Sequence, residues 1–451
     1  MVQTAKANTG TLPQISSGEF DPRDMVDQVD GYCEDMAAAA LQNLPRDEYY
    51  DHSDGEDGGI EEQKKQRGWL GKMGKGLYRR TVGSKKEAAV VKTSDGRDDE
   101  DVKALVLGCR SPMACESGGV ACQSTEDMKA CRSVLSLMIK QMGRNLLSGG
   151  NVMNVSFPIQ CCQPKTTLEI GAAMGQFFHL YMPRAAAATD PVERMKNVVT
   201  CFIAAMPLTS GNFLKPLNPL LGETLQVEYG DGSQLWMEQT CHHPPVAAFL
   251  LEGAGKEYSA SGFLQFSVGF GYNKMLVTPQ GERSVHFKDG TTITCDCPND
   301  RILNLFWGQM CHETLGVQTF TDAVHGIRCR LEFGNPHGRK GVPSDYFQGV
   351  IEKYDSVNPD TAGEVLSTCE GSWVGFIDFA GVRYWDIRTT QKMPCVTPSN
   401  ILKSDSRLRP DRLALEAKNI PEAQEEKSRM EEQQRFERGL REAVHGKHTS
   451  R

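Results

Sequence analysis

The chain has no uninterrupted apolar run of about 18 residues, the length that marks a membrane-spanning helix. Its longest apolar stretches, such as Val199-Thr200-Cys201-Phe202-Ile203-Ala204-Ala205-Met206, are far shorter. The first twenty positions, Met1 to Phe20, carry no apolar core, so they are not read as a secretory signal. A positive charge balance is also lacking: the net charge is -8, which argues against a general nucleic-acid binder while leaving room for a local basic patch. Histidines number ten and none forms a His-x-x-x-His pair near the adjacent His242 and His243. Cys295-Asp296-Cys297 and Cys161-Cys162 stand without a partner pair at zinc spacing, so no metal site is expected. Fifteen cysteines without a signal segment point to reduced thiols and a cytoplasmic protein.

Residues 1–125 read as a mostly disordered region, rich in Gly, Asp, Glu, Lys and Ser and without a sustained apolar period. Two patches stand out within it. Glu48-Tyr49-Tyr50-Asp51-His52-Ser53-Asp54 sets two aromatics in an acidic tract. Lys64-Lys65-Gln66-Arg67-Gly68-Trp69-Leu70, continuing through Leu77-Tyr78-Arg79-Arg80 to Lys85-Lys86, mixes cations with aromatics and leucine. Such a mixture can lie on an anionic membrane surface; a flexible solvated linker fits the same composition.

Residues 126–451 read as a folded domain. Val134, Leu135, Met138, Met142 and Leu146 recur at helical spacing, and Gly149-Gly150 ends that segment. A second helix is expected after Asp190, a cap, with Pro191 in its first turn. After Gly222 short strand-like runs follow one another to about Ile387. Tyr229-Gly230-Asp231-Gly232 and Lys288-Asp289-Gly290 read as hairpin turns. The class is therefore α+β with a large antiparallel sheet, which at this length should curl and close toward a barrel. The charged segment 422–444 reads as one long helix.

Three constellations carry candidate chemistry. In Glu238-Gln239-Thr240-Cys241-His242-His243-Pro244-Pro245 the Pro-Pro step ends a strand and leaves two imidazoles at its end. They lack metal-ligand companions and a clear nucleophile. They suit donation to an anion, and also fit two histidines satisfied in a turn. Lys215-Pro216-Leu217-Asn218-Pro219-Leu220-Leu221-Gly222-Glu223 fixes an irregular loop that can present Lys215 and Asn218 to a bound group, or simply to water. Lys427, Glu431 and Arg435 recur every fourth residue and share one helical stripe. That stripe can clamp a phosphate or form a salt-bridged surface.

Taken in order, these segments resemble the lipid-binding domain of the oxysterol-binding protein family. Glu238 to Pro245 matches the family signature Glu-Gln-Val-Ser-His-His-Pro-Pro with Thr240 and Cys241 substituted. Lys215 to Glu223 matches the Lys-Pro-Phe-Asn-Pro-Leu-Leu-Gly-Glu run. Asp190 to Met195, and Ser404 to Arg412 followed by Lys427, Glu431 and Arg435, resemble its remaining motifs. The resemblance implies a near-complete antiparallel β-barrel around an apolar lipid tunnel, with helices packed outside. It implies a lid at about 133–150, using Val134, Leu135, Met138, Met142 and Leu146. It also implies that Lys215, His242, His243, Lys427, Glu431 and Arg435, with Asn218, surround the phosphorylated headgroup of phosphatidylinositol 4-phosphate.

The function so implied is extraction of that lipid and its exchange for a sterol or phosphatidylserine between membranes, without catalysis or a cofactor. The alternative is a lipid-regulated sensor or membrane-contact scaffold using the same pocket; a hydrolase lacks a supporting nucleophile. Tyr49, Tyr50 and Asp51 resemble a degenerate form of the motif that binds endoplasmic-reticulum VAMP-associated proteins, with His52 and Asp54 departing from it. Peripheral membrane association at endoplasmic-reticulum contact sites is the expected location.

Overall fold

A computed structural model describes residues 97–142, 158–242, 244–271, 273–358 and 361–445. All belong to the second of two compact units, Gly58–Arg451; the first, Met1–Asp57, lies outside the described residues, as do Tyr49, Tyr50 and Asp51. The 64–86 patch lies outside them too.

The described helices, in chain order, are α1 (Asp99–Cys109), α2 (Thr125–Met142), α3 (Thr167–Gly171), α4 (Phe178–Ala187), α5 (Pro191–Thr209), α6 (Pro410–Glu416) and α7 (Ile420–His445). Sixteen described strands form one antiparallel sheet, whose main path runs from edge strand Val382–Asp386 to Cys395–Val396. Along most of that path, chain neighbours are also sheet neighbours. Both expected hairpins are present. Thr224–Tyr229 pairs with Gln234–His242, and the Asp231 carboxylate accepts from the Ser233 amide at 3.0 Å to hold the turn. Arg283–Phe287 pairs with Thr292–Cys295, where Asp289 accepts from the Thr291 amide at 2.9 Å.

Helix α5 starts as its residues dictate: the Asp190 carboxylate accepts from the Val192 amide at 3.0 Å, and Pro191 occupies the first turn. Met195, Val198, Val199, Cys201, Phe202, Ile203, Ala204 and Ala205 are all buried. From Asn197 to Ala205 every residue of the helix is buried, so this stretch must be enclosed on all sides. The sheet encloses it: α5 shares one core with Leu225 and Tyr229 near one end of the strand order and with Phe379 and Trp385 at the other. Two tyrosines fasten the two ends. Tyr229 donates to the Ala172 carbonyl at 2.7 Å, and Tyr181 donates to the Tyr384 carbonyl at 3.1 Å. Helices α4 and α5 thus share one core with strands from both ends of the sheet's path.

Two expectations differ from what the structure shows. The folded body reaches back to residue 97, ahead of the boundary at 125/126. Helix α1 buries Val102, Val106 and Cys109 against Val342, Tyr346 and Phe376. Its first turn is acidic and its cap is Asp98, which accepts from the Asp101 amide at 2.8 Å. A single apolar stripe in a polar setting was enough to build it. The cysteines are not all reduced: Cys115 and Cys311 form a disulfide. Strand Val120–Ala121 pairs antiparallel with Cys311–Asp322 and brings the two cysteines together.

Candidate functional site

Lys215 opens the short strand Lys215–Leu217, which pairs in parallel with Cys162–Thr166, placing Lys215 opposite Cys162. The chain then turns through Asn218 to Gly222, whose positive φ of 77° is a conformation that glycine adopts without strain. The Lys215 ammonium donates to Asn218 Oδ1 at 2.8 Å and to the Pro216 carbonyl at 3.2 Å. Burial pulls its pKa below the ordinary lysine value, and the Lys427 charge pushes the same way.

His242 ends the strand Gln234–His242, and the next strand begins at Pro245, opposite His242 in register. The prolines therefore mark a tight return between neighbouring strands. His243 lies outside the described residues. Lys427 and Glu431 come from α7, where the ammonium donates to Glu431 Oε1 at 2.6 Å. Arg435 lies 4.0 Å from the other oxygen of Glu431.

Cys162, Lys215, Leu217, Asn218, Leu220, His242, Arg409, Lys427, Met430, Glu431 and Gln434 line one pocket. Five expected residues thus meet there, drawn from three separated segments: Lys215, Asn218, His242, Lys427 and Glu431. Arg435 is not among the lining residues; its side chain is 59% exposed and stands one turn beyond Glu431.

Arg409 is the charged lining residue that was not among the expected site residues. It donates to the Asn218 carbonyl at 2.7 Å, to Glu223 Oε2 at 2.9 Å and to Asp411 Oδ2 at 2.7 Å. Glu223 also accepts from the Ser406 hydroxyl and from the Leu220 amide at 2.9 Å. Burial raises the Glu223 pKa against the opposing pull of Arg409 and Ser406. This buried network ties the Lys215–Glu223 loop to the segment before α6. Its available signal was the arginine within Arg407-Leu408-Arg409-Pro410-Asp411; its partner lies far away in sequence. Around it, Asp405 bonds Arg407, and Arg407 reaches the Gln226 carbonyl, fastening the same segment to the sheet.

The expected lid residues divide. Val134, Leu135, Met138 and Met142 belong to α2, and Leu146 lies outside the described residues. The helix begins at Thr125, earlier than the expected start near 133. Leu135 is buried with Cys131 against Cys122, Ile302, Leu305 and Met310. Arg132 donates to the carbonyls of Asn304 at 3.2 Å and Leu305 at 3.3 Å, and also to that of Gly308. The first part of α2 is therefore anchored. Phe213 and Leu214, which lead into Lys215, pack on the same cluster.

A large antiparallel sheet packed on a helical pair carries a pocket lined by Lys215, Arg409, Lys427 and Glu431. The family model described as oxysterol-binding protein matches residues 134–393 and 386–451. Oxysterol-binding protein 9 of Dictyostelium discoideum is 32% identical over 330 residues, covering 68% of this chain and 76% of that protein. Oxysterol-binding protein-related protein 3B of Arabidopsis thaliana is 29% identical over 328 residues, covering 68% and 69%. Among solved structures, the Osh3 ORD in complex with PI(4)P from Saccharomyces cerevisiae matches with a TM-score of 0.56 at 22% identity, covering 68% of this chain and 84% of that one. The Osh1 ORD domain in complex with ergosterol matches with a TM-score of 0.56 at 18% identity, covering 73% and 91%. The chain belongs to the oxysterol-binding protein family and carries its lipid-binding domain. No described helix is long and apolar enough to cross a membrane.

Proposed function

We propose that the domain extracts phosphatidylinositol 4-phosphate from one membrane and exchanges it for a second lipid, a sterol or phosphatidylserine, at another. The observation that carries the reading is the convergence of Lys215, Asn218, His242, Lys427 and Glu431 on one pocket. Two ammonium groups and an imidazole can each donate a charge-assisted bond to a phosphate. Glu431 holds the Lys427 ammonium in place in the free protein and can accept from an inositol hydroxyl. His243 and Arg435 complete the clamp in this proposal, Arg435 from the rim.

Lipid tails resist exposure to water at about 0.8 kcal/mol per CH₂, so a carrier must enclose them and open at a membrane. Helix α2 is the proposed lid, hinged where Arg132 fastens its first half. The neighbour bound to PI(4)P and the one bound to ergosterol support two lipid classes for this fold. The domain would act peripherally, at contact sites with the endoplasmic reticulum if Tyr49, Tyr50 and Asp51 engage a VAMP-associated protein. Binding and release account for the activity, with no catalytic step.

The test is extraction of phosphatidylinositol 4-phosphate from liposomes, with sterol or phosphatidylserine offered in the acceptor. Extraction inhibited by one competitor supports exchange and names the second lipid. Liposome binding without extraction would favour the sensor or scaffold reading instead.

A further inference from the structure

Strands Cys311–Asp322, Ile327–Phe333, Tyr346–Lys353 and Val365–Ser372 lie side by side in the sheet. One face of them joins the main core through Phe320, Leu331, Phe347 and Cys369. Side chains alternate along a strand, so the opposite face carries a row in register, Val317, Glu332, Gln348 and Glu370, with Arg330 and Val350 paired in the next row. Val317, Arg330, Glu332, Pro336, Gln348 and Val350 border a second pocket there, which shares no residue with the first. Val317 is 40% exposed on its rim. Gln348 is only 6% exposed, and its Oε1 has no hydrogen-bond partner among the described residues. A buried acceptor in that position calls for a donor.

The folded chain begins beside this pocket. The Arg97 guanidinium bonds Glu370, which stands opposite Gln348 in register. The Arg97 carbonyl accepts from Arg339 at 3.3 Å, three residues beyond Pro336. The Lys340 amide donates to Asp99 at 3.0 Å and fastens the same entry point. Neighbouring strands lie about 4.8 Å apart, so the chain ahead of Arg97 starts within one or two strands of the pocket. Residues 87–96 lie outside the described residues. Their sequence, Glu87-Ala88-Ala89-Val90-Val91-Lys92-Thr93-Ser94-Asp95-Gly96, sets one apolar run between an acid and a base. Six extended residues reach at most about 20 Å, enough to carry Val91 from Arg97 across the pocket. We propose that this outer pocket is the seat of the chain's own segment 87–96, with Val90 and Val91 packed on Val317 and Val350 and a backbone N–H of the segment donating to Gln348 Oε1. The charges are complementary: Glu87 and Lys92 flank the apolar run, and Arg330 and Glu332 border the pocket. Seated there, the segment ties the basic 64–86 run to this face of the sheet. The inference does not depend on the lipid reading.

The test places a photoreactive benzophenone amino acid at position 317 of the full chain and maps the products of illumination by peptide mass spectrometry. The expected product joins position 317 to a residue within 87–96 of the same molecule, in a yield independent of protein concentration. Val90→Asp combined with Val91→Asp should lower that product at least ~10-fold, since a charged pair no longer packs on Val317 and Val350. A chain-to-chain product that grows with concentration would give the pocket to a second copy and overturn the inference. Products confined to other segments, or a yield that the double variant leaves unchanged, would overturn it as well. Trypsin gives a readout without a label, because cleavage of a seated segment follows the population of its released form. In the otherwise unmodified full chain, Val317→Asp should speed cleavage after Lys92 at least ~10-fold. Cleavage after Lys85 and Lys86, ahead of the segment, should stay at the wild-type rate, and near-ultraviolet circular dichroism reports that the fold is intact. Equal Lys92 rates in the folded wild type and the folded variant would show that the segment is not held by this pocket.

Discussion

Arg409 donates to Glu223 at 2.9 Å across 186 residues of sequence, both side chains buried. The pair borders the pocket: Arg409 lines it, and the same guanidinium holds the Asn218 carbonyl. Removing one member leaves the other as an uncompensated buried charge, which typically costs about 3–5 kcal/mol. Arg409→Met should lower the urea midpoint accordingly. It should also weaken headgroup binding through the loosened Lys215–Glu223 loop. A variant with wild-type stability would show that the pair contributes nothing to the fold.

The pocket residues should separate from the rim residue. Lys427 is buried within the pocket, so Lys427→Met removes a desolvated charge-assisted contact worth about 1.5–3 kcal/mol. Extraction of phosphatidylinositol 4-phosphate should fall by at least ~10-fold, a loss that corresponds to about 1.4 kcal/mol. Arg435 is largely exposed, and exposed ion pairs contribute about 0–1 kcal/mol. Arg435→Met should therefore cost only a few-fold. Equal losses in liposome extraction would mean that Arg435 swings into the pocket when lipid arrives.

What the sequence disclosed and what it withheld divide along physical lines. Lys215 and His242 stand in short, unusual runs and Lys427 on a charged helical stripe, and these three separately legible segments are the ones that the fold brings to one pocket. The hairpins at Asp231 and Asp289 were legible because turn chemistry is local. Arg409 was not, since its role depends on Glu223 at the far end of the domain. Nor was the pairing of α4 and α5 with strands from both ends of the sheet: periodicity marks a buried face without saying which layer covers it. Helix α1 was missed because it is short, follows a long polar region, and buries only Val102, Val106 and Cys109 behind an acidic first turn. The Cys115–Cys311 pairing depends on a strand register that no local pattern encodes.

That disulfide yields a stability prediction. It closes a loop of 196 residues, and loss of a native crosslink costs about 2–5 kcal/mol. Dithiothreitol, or Cys115→Ser, should lower the unfolding midpoint of the wild-type chain. Reducing agent should then leave the Cys115→Ser variant unaffected. An unchanged wild-type midpoint under full reduction, verified by thiol counting, would show that the crosslink adds nothing to stability.

Closure of the sheet rests in part on two hydroxyls. Tyr229→Phe deletes the bond to the Ala172 carbonyl and leaves a buried acceptor unmatched, a change worth about 1–3 kcal/mol. Gly175 packs against the same ring, since an added Cβ would lie 2.2 Å from the Tyr229 oxygen. Gly175→Ala should therefore destabilise the domain, and combining it with Tyr229→Phe should be less than additive. Strict additivity in urea unfolding would sever the proposed link between the two sites.

The pH dependence of binding follows from Lys215. Its pKa lies below the ordinary lysine value because burial, and then Lys427, oppose its charge. A depressed pKa means that the unliganded fold gains from Lys215 above the unfolded lysine value, about 10.4. That gain is lost as pH falls through the folded value. Lipid binding has the opposite sign. A phosphate requires the charged lysine and pulls its pKa back up, so affinity is full where free Lys215 is protonated and declines as pH rises through its depressed value. The decline should begin below the pH at which an ordinary lysine titrates. Vesicle flotation with phosphatidylinositol 4-phosphate across the alkaline range measures it directly. Lys215→Arg should flatten the profile, because a guanidinium stays charged throughout. If the wild-type profile is already flat, Lys215 does not carry the phosphate, and the remaining donors that line the pocket, His242, Arg409 and Lys427, must do so without it.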